Sequence, residues 1–116
     1  MVKRGEIWLV NLDPTIGHEI KKSRPAVIVQ NDIGNQYSPI TIVAPITSQN
    51  IDRVYPIEVF LPKRHTRLEK DSKALLNQIR AVDKRRLVKR FGKVDANLQT
   101  KIDEALCISL GLEKLF

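Results

Sequence analysis

Apolar residues along this chain fall in short blocks separated by Pro, Gly, Asn and charged residues, a spacing that suits strands rather than helices until the last stretch. After Gly5, the run Glu6 to Leu12 is hydrophobic on both faces and predicts a central strand. Asp13-Pro14-Thr15-Ile16-Gly17 stops it with turn chemistry. Pro25 holds Arg24 extended, and Ala26-Val27-Ile28-Val29 reads as a buried, mostly β-branched strand. Asn31 to Gln36 predicts a short helical or turn segment, broken by Ser38-Pro39, before a strand over Ile40 to Ile46 and a polar loop, Thr47-Ser48-Gln49-Asn50. Tyr55 to Leu61 alternates as a half-buried strand does, Lys63 to Asp71 is a charged connection, and Ala74 to Val82 reads as a further strand. Asp83 is placed to cap a helical turn over Lys84 to Leu87, and Phe91 to Val94 predicts a brief edge strand.

The end of the chain is the clearest helix. Asp95 is a good N-cap, Leu98, Ile102, Ala105, Leu106 and Ser109 recur at helical spacing, and Gly111 suits the C-terminal stop. Ile108, Leu110 and Leu112 lie off that stripe, so the last turns ask for cover from the body of the protein and from a second subunit. The fold class expected is mainly β with a C-terminal α-helix, a small barrel or pair of packed sheets made of short antiparallel strands. At 116 residues it forms one domain, residues 1–116, with no repeat or linker.

Charge sharpens this picture. The net charge is +7, and between residues 63 and 93 twelve Lys and Arg face only Glu69, Asp71 and Asp83, a local excess of nine. A polyanion is the natural partner for such a field; a solvated basic face is the plainer alternative. One cysteine excludes an intrachain disulfide, and Cys107 in an apolar setting is expected to be a buried thiol. Two His make no conventional zinc site. Neither a signal peptide nor a membrane span is visible, so a cytoplasmic protein with no membrane partner is expected.

No catalytic signature emerges from spacing alone: there is no phosphate-cradling Gly loop, and the strand ends lack the clustered carboxylates of metal-dependent nucleases. Nucleic-acid cleavage would have to proceed without metal or other cofactor. RNA permits this, because its 2′-hydroxyl is an internal nucleophile beside the phosphate it attacks. The protein then has to align the groups, move a proton and stabilise charge on the transferring phosphate. Arg24, at the mouth of a rigid strand, is well placed to hold two phosphate oxygens.

The chain resembles the MazF/PemK family of toxin endoribonucleases from type II toxin–antitoxin modules. The matching pieces are Arg4-Gly5-Glu6-Ile7-Trp8, Asp13 to Glu19, Ser23-Arg24-Pro25 to Val29, Gln30 to Asn35, Ala44-Pro45-Ile46-Thr47-Ser48, and Asp71-Ser72 with Leu76-Asn77-Gln78-Ile79-Arg80. Each is weak by itself; together, in order, they are specific. The resemblance implies an SH3-like barrel, a homodimer, and metal-independent cleavage of single-stranded RNA at short sequences, leaving a 2′,3′-cyclic phosphate and a 5′-hydroxyl. It implies inhibition by a cognate antitoxin that lays an acidic, partly disordered segment in the basic groove. It also assigns Arg24 to proton transfer and transition-state stabilisation and Thr47 to the scissile phosphate. An unperturbed Arg is no base, so charge stabilisation is its physically supported role.

Other candidates for RNA contact carry plainer readings beside them. Gln78 suits a base or backbone contact but equally an outward polar strand position, and Ser72 binds RNA or caps a turn. Ser48 and Gln49 occupy what is ordinarily a hydroxyl-stabilised turn, and Glu19 either orients Arg24 or balances Lys21 and Lys22. Asn31, Gln49 and Arg80 are weaker candidates, and Trp8 belongs by default in the core. Where the family often has glycines, this loop reads Ile20-Lys21-Lys22-Ser23, which implies a stiffer loop with more attraction for phosphate. Aromatics are only 5% of the chain, so polar edge contacts should outweigh stacking in base recognition. The rival function is a non-catalytic toxin of the same fold that binds and poisons DNA gyrase, as CcdB-type toxins do. Those rely on a Trp-containing C-terminus, whereas this chain closes with Glu-Lys-Leu-Phe after Leu112.

Overall fold

The structure, a computed structural model, describes residues 1–19 and 22–112. The basic-loop expectation at Ile20 and Lys21, and the chain's last four residues, lie outside the described part. Seven strands are formed: β1 (Glu6–Asn11), β2 (Ser23–Ile28), β3 (Ile40–Thr47), β4 (Glu58–Leu61), β5 (Ser72–Leu75), β6 (Arg80–Asp83) and β7 (Leu87–Lys93). Three helices accompany them: α1 (Asp32–Tyr37), the single turn α2 (Lys63–Thr66) and α3 (Ala96–Leu110). Every strand pairing is antiparallel, in the order β4-β5-β3-β2-β1-β7, with β6 also on β3.

β3 is the strand around which the rest is arranged. One edge pairs with β2 through Val43–Pro45, while the other takes β6 along Ile40–Val43 and β5 at Ile46 and Thr47. Both faces of the strands are covered. Ile7, Val27, Ala44 and Ile46 join the larger core with Leu61, Leu76 and the α3 residues Leu98, Ile102 and Ala105. Val10, Ala26, Ile28, Val43 and Val82 form a second cluster on the other side, with Trp8 and Leu87 against it. Two-sided burial explains why β1 and β2 read as continuous apolar runs rather than alternating ones.

The ends of these elements are held by local chemistry. Gly5 has φ +89°, in the region that favours glycine, and its N–H and carbonyl tie β1's start to Ile28 and Val94. Asp95 caps α3 by accepting the Leu98 N–H at 2.8 Å. Gly111 ends the helix in the left-handed conformation, where Leu112 donates to the Cys107 carbonyl at 2.8 Å. Arg4 and Asp103 pair through two contacts of 2.7 and 3.4 Å, strapping α3 to the entrance of β1. That carboxylate raises the Arg4 pKa, chiefly by hydrogen bonding.

Several elements differ from expectation in bounds or kind. The strand expected over Ala74 to Val82 is two. Val43 pairs with Arg80 and Ile46 with Ala74, so three steps along β3 face six along the partner chain. The surplus is thrown out as a turn closed by the Gln78 N–H on the Leu75 carbonyl. β4 starts only at Glu58, because Tyr55 and Pro56 are used in a turn whose Tyr55 carbonyl accepts the Glu58 N–H. The charged connection contains α2, and the brief edge strand is a seven-residue β7 with irregular register on β1. Trp8 is half-buried rather than interior, its indole N–H bound by Glu6 at 3.1 Å, and Cys107 is likewise half-buried.

Candidate functional site

Antiparallel pairing carries the starts of β2 and the end of β3 to the same end of the molecule. There Arg24 and Pro25 face Ile46, Thr47 and the Ser48–Gln49 loop across a cleft of about 620 Å³. The Arg67–Lys70 segment, Ser72 on β5, and Lys89 and Phe91 on β7 complete its wall. Arg24 is half-buried in this wall, opposite Val10 in the β1–β2 ladder, so its backbone is fixed while its head faces the cleft. Four cations, Arg24, Arg67, Lys70 and Lys89, surround the space, and Glu69 is the wall's one carboxylate among the described residues. Lys89 lies 5.8 Å from the centre of the Phe91 ring, which supports its stem.

The hydroxyls in this wall are not equivalent. Thr47 Oγ1 accepts the Gln49 N–H at 3.1 Å, which shapes the loop and leaves the Thr47 O–H able to donate to an incoming oxygen. Ser72 is buried and donates to the Lys70 carbonyl at 2.9 Å, so its proton serves to hold the Arg67–Lys70 wall in place. The donors around this cleft have the chemistry to hold phosphate oxygens, charge-assisted ones beside a neutral hydroxyl. Among the described residues, no three of His, Cys, Asp or Glu converge as metal ligands would.

The remaining sequence candidates are divided. Glu19, Gln78 and Arg80 meet in a second cleft of about 400 Å³, together with His18 and Asn77. The turn between β5 and β6 is what exposes Asn77 and Gln78 there. Arg80 also donates to the Leu12 carbonyl at 2.7 Å, tying β6 to the end of β1. Asn31 lies in neither cleft; it caps α1 by accepting the Gly34 N–H at 2.8 Å. Sequence reasoning missed Arg67, Glu69, Lys70, Lys89 and Phe91 in the first cleft and His18 and Asn77 in the second. The charge run over residues 63–93 was a signal for the first set, but nothing in its spacing says which cations face inward. Nearby, Asp83 is held below the usual carboxylate range by the Arg85 guanidinium and then by the Arg85 N–H, which fixes the turn over residues 84–86.

Comparison with known proteins adds four findings. Residues 3–110 match the family model described as PemK-like, MazF-like toxin of type II toxin-antitoxin system. The chain is 43% identical over 112 residues to Endoribonuclease EndoA of Bacillus subtilis (strain 168), covering 97% of each. Its fold is that of the MazF crystal structure from Deinococcus radiodurans, with TM-score 0.81, 26% identity, and 96% and 97% of the two chains covered. A mycobacterial endoribonuclease solved with its cognate antitoxin shares the fold at TM-score 0.80 and 21% identity, covering 98% of this chain and 99% of that one.

Proposed function

The chain belongs to the PemK-like, MazF-like toxins of type II toxin–antitoxin systems, and on that footing we propose that it cuts single-stranded RNA, at specific sequences and without a metal ion, in the Arg24–Thr47 cleft. The 2′-hydroxyl attacks the adjacent phosphorus, the bond to the 5′-oxygen breaks, and the products are a 2′,3′-cyclic phosphate and a 5′-hydroxyl. Arg24 sets its planar donors on the phosphate oxygens and counters the charge that builds there. Thr47 donates its free O–H to the same group. Ser48 and Gln49 at one lip, with Gln78, Arg80 and Glu19 in the second cleft, contact the flanking nucleotides; Ser72 and Asn31 act through the backbone they hold.

The observation that carries this reading is the convergence of Arg24, Thr47 and Ser72, from three separate strands, on one cleft ringed by four cations. The solved mycobacterial relative with its antitoxin supports a similar control here. An antitoxin with an acidic, partly disordered segment would compete with RNA for those cations. A homodimer would cover the exposed Ile108, Leu110 and Leu112 at the end of α3. The test is incubation with a long single-stranded RNA and its DNA counterpart in excess EDTA, beside Arg24→Ala. Discrete RNA fragments with cyclic-phosphate ends are expected, with DNA intact and the variant slowed by about 10²-fold or more. RNA left intact by the wild-type protein would overturn the activity, and a variant as fast as wild type would overturn the site.

A further inference from the structure

We propose that Asn77 is a specificity-determining residue, whose side-chain amide reads one base beside the cut in the cleft lined by His18, Glu19 and residues 77–80; the inference rests on the RNA-cleavage reading above. The tertiary structure fixes where Asn77 stands. On one side the Leu76 N–H is held by the Ile57 carbonyl at 3.0 Å, and on the other the Arg80 guanidinium donates to the Leu12 carbonyl at 2.7 Å. Between these anchors the Gln78 N–H closes the turn on the Leu75 carbonyl at 3.2 Å, leaving Asn77 exposed on the cleft wall. The cleft borders the cutting site through β1. Arg24 faces Val10 in the ladder, and Leu12 is two residues further on, about 7 Å of extended chain.

An Asn in a turn ordinarily serves the turn itself, by adopting a left-handed φ or by accepting a nearby N–H. Asn77 does neither. Positive φ among the described non-glycine residues is confined to Lys22, Asn50 and Arg67. The Asn77 side chain also makes no hydrogen bond among the described residues. By contrast, Asn31, Asp83 and Asp95 each accept an N–H of the turn they begin. The Asn77 amide therefore stands open to a ligand, on a backbone that is held firm.

The other polar groups of this cleft are less suited to choosing a base. Glu19 Oε1 accepts the Ile16 N–H at 2.5 Å and so closes its own loop. Arg80 is engaged with Leu12, and Gln78 is half-buried with an interaction of its own. His18 offers a ring on which any base can stack. The Asn77 amide carries a donor beside an acceptor. It pairs bidentately with a base edge that presents an acceptor beside a donor, and loses the match where it meets two of a kind. At about 400 Å³ the cleft suits one base rather than a run of them.

The test is the cut-site preference in a pool of single-stranded RNA of randomised sequence, comparing wild type with Asn77→Ala and Asn77→Asp, each folded as wild type by circular dichroism. Wild type should discriminate between bases at one position that Asn77→Ala treats alike, a loss of about 5- to 150-fold in the kcat/KM ratio there. Preference at the other positions should be unchanged. Asn77→Asp keeps the shape but turns the donor into an acceptor, so it should change which base is preferred at that same position. Preferences identical in all three proteins, or variants slowed by the same factor at every sequence, would overturn the assignment while leaving the cleavage reading intact. A wild-type protein that leaves RNA uncut overturns the cleavage reading first, and this inference with it.

Discussion

Lys73 offers the sharpest test of how the cleft is supported. It stands on β5 between Ser72 and Ala74, yet its side chain is only 6% exposed, and its partner Glu58 is 11% exposed. The Lys73 Nζ donates to Glu58 Oε1 and to the Arg53 carbonyl, both at 2.9 Å, while Glu58 Oε1 also accepts the Tyr55 N–H at 3.1 Å. The Tyr55 ring centre lies 6.0 Å from the ammonium. These contacts clamp the β3–β4 loop, which begins at Ser48 and Gln49, onto β5. Lys73→Met keeps the apolar stem, removes the cation, and leaves Glu58 with a single backbone donor. Breaking a fully buried pair costs about 3–5 kcal/mol; with water able to reach Glu58, about 2–3 kcal/mol is the reasonable figure here. Glu58→Gln keeps an oxygen that accepts from Lys73 and should cost about 1–2 kcal/mol. The Lys73→Met/Glu58→Gln double variant should recover part of the loss, with a coupling of about 1–2 kcal/mol. Urea unfolding followed by the fluorescence of the single Trp8 is the assay, and the midpoint for Lys73→Met should fall by on the order of 1 M. A single variant within about 0.5 kcal/mol of wild type, the range of ordinary surface changes, would refute the reasoning. Strict additivity in the double variant would do so as well.

Two further predictions concern the frame of the cleft. A Cβ at Gly92 would stand 3.0 Å from the Thr66 carbonyl oxygen and 3.7 Å from Arg67 Cβ; Gly92→Ala should therefore destabilise by about 1–3 kcal/mol, and an unchanged melting temperature would show that α2 gives way freely. Asp32 accepts the Arg4 N–H at 2.7 Å, and the Asn35 amide at 3.2 Å, contacts that hold its carboxyl below the ordinary range. Because the folded pKa is the lower one, its stabilisation is present above the unfolded value of about 3.9 and is lost as pH falls through the folded value. Asp32→Asn should thus be less stable than wild type at neutral pH, by a small margin at so exposed a site. The gap should close as pH falls through the folded value, and a gap that stayed constant in urea midpoints from neutral pH down through that range would contradict the assignment.

Local rules made much of the chain legible. The apolar blocks marked β1, β2 and β3 because burial on both faces leaves a continuous hydrophobic run. Asp95 and Gly111 marked the ends of α3 because capping needs only residues a few positions apart. The ordered motifs, with Arg24 before Pro25 and Thr47 after Ile46, were enough to identify the family. What local pattern could not supply was any quantity set by a partner strand. Ala74 to Val82 is a good strand by itself, and only the register of β3 against both of its halves forces out the turn that brings Asn77 and Gln78 into a second cleft. Lys73 looked like one more cation in a basic run until Glu58 and the Arg53 carbonyl were brought to it. Among the many cations between residues 63 and 93, the tertiary fold alone selects Arg67, Lys70 and Lys89 to face Arg24, and sets Glu69 among them. Capping, turns and burial patterns act over a few bonds and are written in the sequence. Which charges share a cavity depends on pairings between distant strands, and only the folded chain decides it.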